Sequence, residues 1–374
     1  MIDTVVLNIP REQVQVEANS NGYRSWDLQS RTSTYEKHTK NPPRGLIDGV
    51  YRPRITGMKR SIGGGQTVSF IKIEFSVPKM LFGNNLEEIS DKDFGAVVER
   101  LQDRLCEVGL FIHKMRIANA TVAAFHPSKN IVLSDGYTAS LVSRELAKIN
   151  LNKKFDLQKT SFRNGGQSLQ GYTQAHAVVV YDKIADLAQS KKRAIDKDPA
   201  PRQLSLFQEI KTQQPSLEIL RLEIRLTQKA KINGVLKRLG LPKNLTFSQV
   251  CKKDVCQKIV QFYWDTLIEG ENLFLFGAEN NPKNLLKRLL RRYPKLRVKE
   301  AVYLVGLSTL CADEGGIREL RVILEKRQSQ RGWYRIADDI ELLNGSQSDR
   351  ALHGWVWQIR DTLKSFEPYR MRPP

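Results

Sequence analysis

Two strand-like segments carry the residues of this chain that are best placed to do chemistry: AHAVVVYDK (Ala175 to Lys183) and LEILRLEIRL (Leu217 to Leu226). Side chains alternate along a strand. In the second segment Leu220, Leu222, Ile224 and Leu226 therefore lie on one face, and Arg221, Glu223 and Arg225 on the other. In the first, Tyr181 and Lys183 share a face with the small Ala175 and Ala177, which leaves the tyrosine room to be approached. If the two strands are neighbours, a phenol, an ammonium, a carboxylate and two guanidinium groups converge. That set suits phosphodiester chemistry with Tyr181 as nucleophile. A phenol with an ordinary pKa of about 10 needs a cation or base to attack at neutral pH. A divalent metal on Glu223 could polarise the phosphate, while Lys183 and an arginine such as Arg221 stabilise charge or assist the leaving 3′ oxygen. A covalent phosphotyrosine would conserve the bond energy needed for rejoining. Taken alone, the same residues also read as an ordinary strand aromatic and a solvated face with cross-strand ion pairs.

The elements that position these groups belong to a long, basic chain. It has 374 residues, and 60 Lys and Arg against 40 Asp and Glu leave a formal charge of +20. Length favours two domains, and the charge favours a polyanionic partner such as nucleic acid. A ribosomal-type or merely alkaline protein, or one drawn to an anionic membrane surface, is the competing reading. Four cysteines make no disulfide framework, and Cys251 and Cys256 lack the companions of a zinc site. No signal peptide or membrane-length apolar run is evident, so a soluble cytoplasmic protein without membrane association is expected. No GxxxxGK[ST] motif occurs, which argues against a P-loop ATPase.

Along the chain, Ile2 to Ile9 reads as a strand ended by Pro10, and residues 11 to 43 as loops with short strands. A hairpin follows, turning at Gly63, Gly64 and Gly65, with Ile71, Ile73, Phe75 and Val77 on one face of its second arm. Asp91 to Val108 has helical spacing. Leu110 to Phe125 reads as a strand pair or one long strand, with His126 at its end in FHPSKN, and Tyr137 to Leu151 reads as helix. Residues 160 to 174 look like a loop containing Tyr172, a second tyrosine beside the first key strand. Residues 190 to 215 look like a mobile excursion with one short helix. After Leu226 the pattern becomes helical. The expected fold is α+β, with a central mostly antiparallel sheet flanked by helices over residues 1–240 and a helical DNA-binding domain over 241–374.

Three motifs, the opening MIDTVVL, VVVYDKIADL and LRLEIRL, occur here in the order found in the filamentous-phage gene II/X-type replication endonucleases, and the chain resembles that family from Met1 to about Glu269. The resemblance implies a rolling-circle replication initiator in the host cytoplasm. Such a protein nicks one strand of an origin, keeps the 5′ phosphate on a tyrosine and leaves a 3′ hydroxyl for polymerase. Tyr181 matches the nucleophile, Lys183 the lysine two positions on, and Glu223 the carboxylate, with Arg221 beside it and Asp3 as a metal neighbour. The cofactor implied is Mg²⁺ or Mn²⁺. The partners implied are double- and single-stranded origin DNA with host helicase and polymerase. Many rolling-circle nucleases hold their metal through a His-x-His pair, which is absent among the five histidines here. His126 is the preferred second ligand, and His176 falls on the face opposite Tyr181. The competing functions are a non-catalytic sequence-specific DNA regulator and a relaxase of a mobile element.

A second basic feature lies downstream. KNLLKRLLRRYPKLRVK (Lys283 to Lys299) has eight basic residues and no acidic one. Lys287, Arg288, Arg291 and Arg292 are candidate phosphate contacts. The sequence beyond reads helix, Gly-Gly turn, helix and short strand, the order of a winged helix-turn-helix. On that reading Arg318, Arg321, Lys326 and Arg327 face DNA, Leu320, Ile323 and Leu324 pack inward, and Trp333 and Tyr334 belong to the wing core. A plain helical bundle competes with it.

Overall fold

Alternation of apolar and polar residues dictates most of the architecture. A computed structural model describes residues 1–17, 35–40, 50–149, 156–161, 167–188, 201–270, 272–278, 281–325, 327, 329–345 and 352–371. The strands are β1 (Ile2–Pro10), β2 (Gln15–Val16), β3 (Tyr35–Lys40), β4 (Arg54–Gly63), β5 (Gln66–Ser76), β6 (Leu110–Phe111), β7 (Thr121–Leu133), β8 (Asp156–Ser161), β9 (Gln167–Tyr172), β10 (His176–Asp182) and β11 (Glu218–Leu226). Nine of them form one sheet in the order β3-β4-β5-β1-β7-β11-β10-β9-β8, while β2 and β6 pair separately. Every pairing is antiparallel. The fold is α+β, as expected.

One face of this sheet is apolar. Val5, Leu7, Ile71, Ile73, Phe125, Ile131, Leu220, Leu222 and Ile224 are buried in one continuous core. Helices Ala139–Leu146, Lys229–Arg238, Lys253–Trp264 and Gly354–Ser365 pack on its strands. Helix Phe94–Cys106 buries Val97, Val98, Leu101 and Leu105, the stripe its spacing predicts. Phe247 anchors the packing, with edge contacts to Phe75 at 5.7 Å and Phe94 at 5.0 Å between ring centroids. Among the described residues no helix is long and apolar enough to cross a membrane.

Several local readings change. Leu110 to Phe125 is not continuous strand, since helix Lys114–Ala118 separates β6 from β7, and Val77 opens helix Val77–Phe82 rather than continuing β5. The segment after Phe125 does not leave the sheet: β7 continues to Leu133, so His126 stands within a strand. Pro127 hides this in the sequence, because proline is unusual inside sheets. It is accommodated where the pairing of β7 with β1 shifts register. Residues 167–172, read as loop, form β9. The stretch containing Trp333, read as the wing strand, lies in helix Gln330–Gly345. Trp333, Ile336, Ile340 and Leu343 recur there at helical spacing, and Trp333, Ile340 and Leu343 are buried. Of the expected 190–215 excursion, helix Pro201–Gln213 is described and residues 190–200 lie outside the described residues.

Segments far apart in the sequence meet at a buried carboxylate. Glu88, with a side chain 2 % exposed, accepts hydrogen bonds from the Asn130 backbone (2.8 Å), the Tyr369 backbone (2.9 Å) and the Met1 nitrogen (3.2 Å), and pairs with Lys129. Lys129 in turn donates to the Glu367 carbonyl at 2.7 Å and lies over the Phe366 ring. Burial alone would raise the Glu88 carboxyl, but the Met1 amine and Lys129 outweigh it and hold the pKa at about 2. The folded value is depressed, so the stabilisation is complete above the ordinary value of 4.5 and is lost as pH falls through about 2. Glu88→Gln leaves Lys129 buried without its counter-charge. Urea unfolding at pH 7 should show a loss of roughly 3–5 kcal/mol, and the variant should lack the Glu88 share of the wild type's acid-induced loss between pH 4.5 and about 2.

Candidate active site

The sheet's other face holds the chemistry. β10 and β11 are direct antiparallel neighbours, with Tyr181 opposite Arg221 and Val179 opposite Glu223. Directly opposed residues share a face, so Tyr181, Arg221, Glu223 and Arg225 all project to the same side. The Tyr181 hydroxyl donates to Glu223 Oε2 at 3.3 Å. Glu223 Oε1 accepts from Arg225 Nε at 2.8 Å and lies 3.4 Å from His126 Nδ1. The phenol, the acid, one arginine and one histidine therefore form a connected group, buried at Tyr181 and Glu223 and more open at Arg225 and His126, whose side chains are 31 % and 18 % exposed.

Arg221 sits one layer deeper, at 1 % exposure. Its Nε donates to Asn130 Oδ1 at 2.7 Å, its Nη1 to Asp3 Oδ1 at 3.3 Å, and its Nη2 to the Asn85 carbonyl. Asp3 is thus engaged by the arginine, and its other oxygen accepts from the Thr4 hydroxyl at 3.2 Å. The expected ligand set of Glu223, His126 and Asp3 does not close into one group, and no three His, Cys, Asp or Glu side chains that could hold a metal come together among the described residues. The reason is electrostatic: a fully buried guanidinium requires the nearest free carboxylate as its partner.

Lys183 is also placed differently from its expected position on the strand. Asp182 ends β10 and caps helix Lys183–Leu187, its carboxylate accepting from the Ala185 N–H at 2.8 Å. From the first helical position Lys183 reaches back over the Tyr181 ring, 5.5 Å from the centroid, and donates to Asn85 Oδ1 (2.9 Å) and Asp186 Oδ2 (3.1 Å). Burial, reinforced by the neighbouring Arg221 charge, pulls its ammonium down to about 8. The lysine therefore stays close to the phenol, by a different local route.

Charge follows geometry at the centre. Burial pushes the Tyr181 phenol well above its usual range, against the pull of Arg221. Burial would also raise the Glu223 carboxyl, but Arg225 and His126 overcome it and hold the group well below the usual carboxylate range. At neutral pH the resting site is a protonated phenol hydrogen-bonded to an ionised carboxylate, with cations on the near side. His176 points into the opposite, apolar face beside Tyr263, with ring centroids 5.8 Å apart, and burial lowers its pKa to about 4. It lies on the face opposite Tyr181, as expected, and is buried there rather than exposed.

Three supporting residues escaped the sequence reading: Asn130, which orients Arg221, Ser128, which pairs with Glu223 across the strands, and Asn85, which bonds Arg221 and Lys183. The alternate positions 126, 128 and 130 would have revealed the first two had HPSKN been read as strand. Asn85 lies in a connecting segment with no periodic signal.

The basic candidates lie elsewhere. Helix Pro282–Arg292 buries Leu289 and exposes Lys287, Arg291 and Arg292, with Arg288 half-buried. Arg318 and Arg327 are exposed, while Arg321 is half-buried over the Trp333 ring at 5.6 Å. Lys326 lies outside the described residues. Leu320 is buried, but Ile323 is 62 % exposed and does not pack inward.

Removing the Tyr181 hydroxyl leaves Glu223 with Arg225 and His126, so Tyr181→Phe should change unfolding free energy by less than about 1.5 kcal/mol. Glu223→Gln, which leaves Arg225 without its counter-charge, should cost roughly 3 kcal/mol, and urea titration of both variants separates the two cases. No protein-family model, no curated protein and no solved structure matches the chain.

Proposed function

We propose that this protein is a rolling-circle type DNA nickase that uses Tyr181 as its nucleophile. The observation that carries the reading is the contact of the Tyr181 hydroxyl with Glu223, 3.3 Å apart on one sheet face, with Arg225 and His126 on the same carboxylate. An ordinary buried strand tyrosine has no need of an ionised acid and flanking cations at its hydroxyl.

In the proposed reaction the Tyr181 oxygen forms a bond to phosphorus, the bond from phosphorus to the 3′ oxygen breaks, and the phenolic proton leaves through Glu223. Arg221, directly across from Tyr181, lowers the cost of the developing phenolate. Arg225 and Lys183 supply positive charge for the phosphoryl oxygens and the departing 3′ oxygen. Lys183 titrates at about 8 and so can deliver a proton near neutrality. The product is a 5′-phosphotyrosine and a free 3′ hydroxyl, which host polymerase and helicase would use.

Glu223 and His126 fit the proposed Mg²⁺ or Mn²⁺ as a partial donor set, a carboxylate and an imidazole 3.4 Å apart. Such ions commonly complete their coordination with water and substrate phosphate rather than a full protein cage. Bound there, the ion would polarise the scissile phosphate. Duplex DNA is assigned to the basic helix Pro282–Arg292 and to the pair Val298–Ala312 and Gly316–Glu325, with Arg318 and Arg327 outward.

Incubation with supercoiled plasmid carrying the cognate origin and Mg²⁺ or Mn²⁺ should give open circles with protein bound at the 5′ end. Tyr181→Phe should abolish both the nick and the adduct. DNA binding without a nick under either metal would leave the non-catalytic regulator instead.

A further inference from the structure

The apolar side of the sheet is not sealed evenly. On β11, Leu220, Ile224 and Leu226 are at 0 % exposure, whereas Val178 and Val180 of β10 keep 9 % and 7 %, and Leu169 of β9 keeps 5 %. Gly171 is directly opposite Val178 and so belongs to the same face, with no side chain to cover it. A glycine inside a strand often marks a place where a ligand or another backbone comes close. Leu146 and Ile149, at the end of helix Ala139–Leu146 and just beyond it, help to wall a recess over these strands. Tyr263, Trp264, Leu267 and Ile268 supply the rest of the wall, and the empty space amounts to about 420 Å³, its mouth included. That volume is at the lower end of the range that small-molecule sites occupy.

The lining has a definite chemistry. None of its side chains is charged. The Trp264 indole N–H is already engaged, donating to Glu269 Oε1 at 2.8 Å. The Tyr263 hydroxyl is buried and has no hydrogen-bond partner among the described residues. Native proteins keep few such groups, and each calls for a reason. The wall that carries it is pinned in place. Tyr263 and Trp264 end helix Lys253–Trp264, and Leu267 and Ile268 belong to the π-helical turn Asp265–Glu269 that follows, a local geometry common at functional sites. Glu269 pairs with Arg360 of helix Gly354–Ser365, and Asn344 of helix Gln330–Gly345 donates to the Gly270 carbonyl at 2.7 Å. A wall tied to two other helices does not settle onto the strands, so the space beneath it persists.

We propose that this recess binds a small neutral aromatic molecule carrying one hydrogen-bonding oxygen. Its ring lies on Val178, Val180 and the bare strand at Gly171 and packs against Tyr263 and Trp264, and its oxygen takes the hydrogen bond that the Tyr263 hydroxyl lacks. A charged molecule is disfavoured, because no lining group would compensate its charge. Val180 is opposite Leu222, one residue before Tyr181 and Glu223 on their strands, so the recess is on the reverse of the sheet from the phenol and the acid. The inference therefore stands apart from the nickase reading.

The test is calorimetric titration of the full chain with p-cresol and with toluene, a matched pair that differs by one hydroxyl. The wild type should bind p-cresol with a Kd of roughly 0.1–1 mM and toluene more weakly. Tyr263→Phe should weaken p-cresol roughly three- to tenfold and leave toluene unchanged. Gly171→Val places a strand-favouring side chain in the floor and should abolish binding of both. Tyr263→Phe removes only an unpaired hydroxyl, so without ligand it should melt at or above the wild-type temperature, and it decides the question even where Gly171→Val does not fold. Absence of binding by either compound to the wild type overturns the proposal. Wild-type p-cresol affinity in Tyr263→Phe, or in a Gly171→Val protein whose fold circular dichroism confirms, overturns it as well. None of these measurements involves DNA or a metal, so failure of the nickase reading leaves them untouched.

Discussion

Arg221 is the constraint around which the polar side of the sheet is arranged. A guanidinium at 1 % exposure must have its donors satisfied and its charge balanced, or the fold loses several kcal/mol. Asp3 of β1, Asn130 of β7 and the Asn85 carbonyl meet that requirement from three separate parts of the chain. The same arginine faces Tyr181 across the strand pair, so the interactions that make its burial tolerable also fix a positive charge beside the phenol. Structural need and chemical opportunity coincide in one side chain.

The sheet is strongly two-sided. Its apolar face is buried under helices drawn from both halves of the sequence, including Lys253–Trp264 and Gly354–Ser365. A strand slipped by one residue would turn Glu223 and Tyr181 into that core and bring Leu222 and Val180 out. The hydrophobic face therefore enforces the register that brings phenol and carboxylate together. On the proposed reading, catalysis depends on packing that never touches DNA.

Much of this was legible in the sequence because strand periodicity is a strong signal. The LRLEIRL pattern placed Arg221, Glu223 and Arg225 on one face without ambiguity, and the small alanines before Tyr181 pointed to its side. Lys183 was harder. Strand alternation was extended one residue too far, since Asp182 can either continue a strand or cap a helix, and only the tertiary setting decides. Pro127 concealed the continuation of β7, and with it the positions of His126, Ser128 and Asn130. The role of Asp3 could not be read at all, because it depends on which buried cation lies nearest in space. The wing failed for a different reason: Trp333, Ile336, Ile340 and Leu343 carry a helical period that an eye trained on Trp-Tyr pairs passes over.

Glu88 and Lys129 reach forward to Phe366, Glu367 and Tyr369, while their neighbour Asn130 orients Arg221. During synthesis the ribosome releases β10 and β11 long before those late residues emerge. The nascent chain can pair its strands early, but the Glu88–Lys129 network closes only when residues 366–369 arrive from far downstream of β11, a form of timing written into chain order.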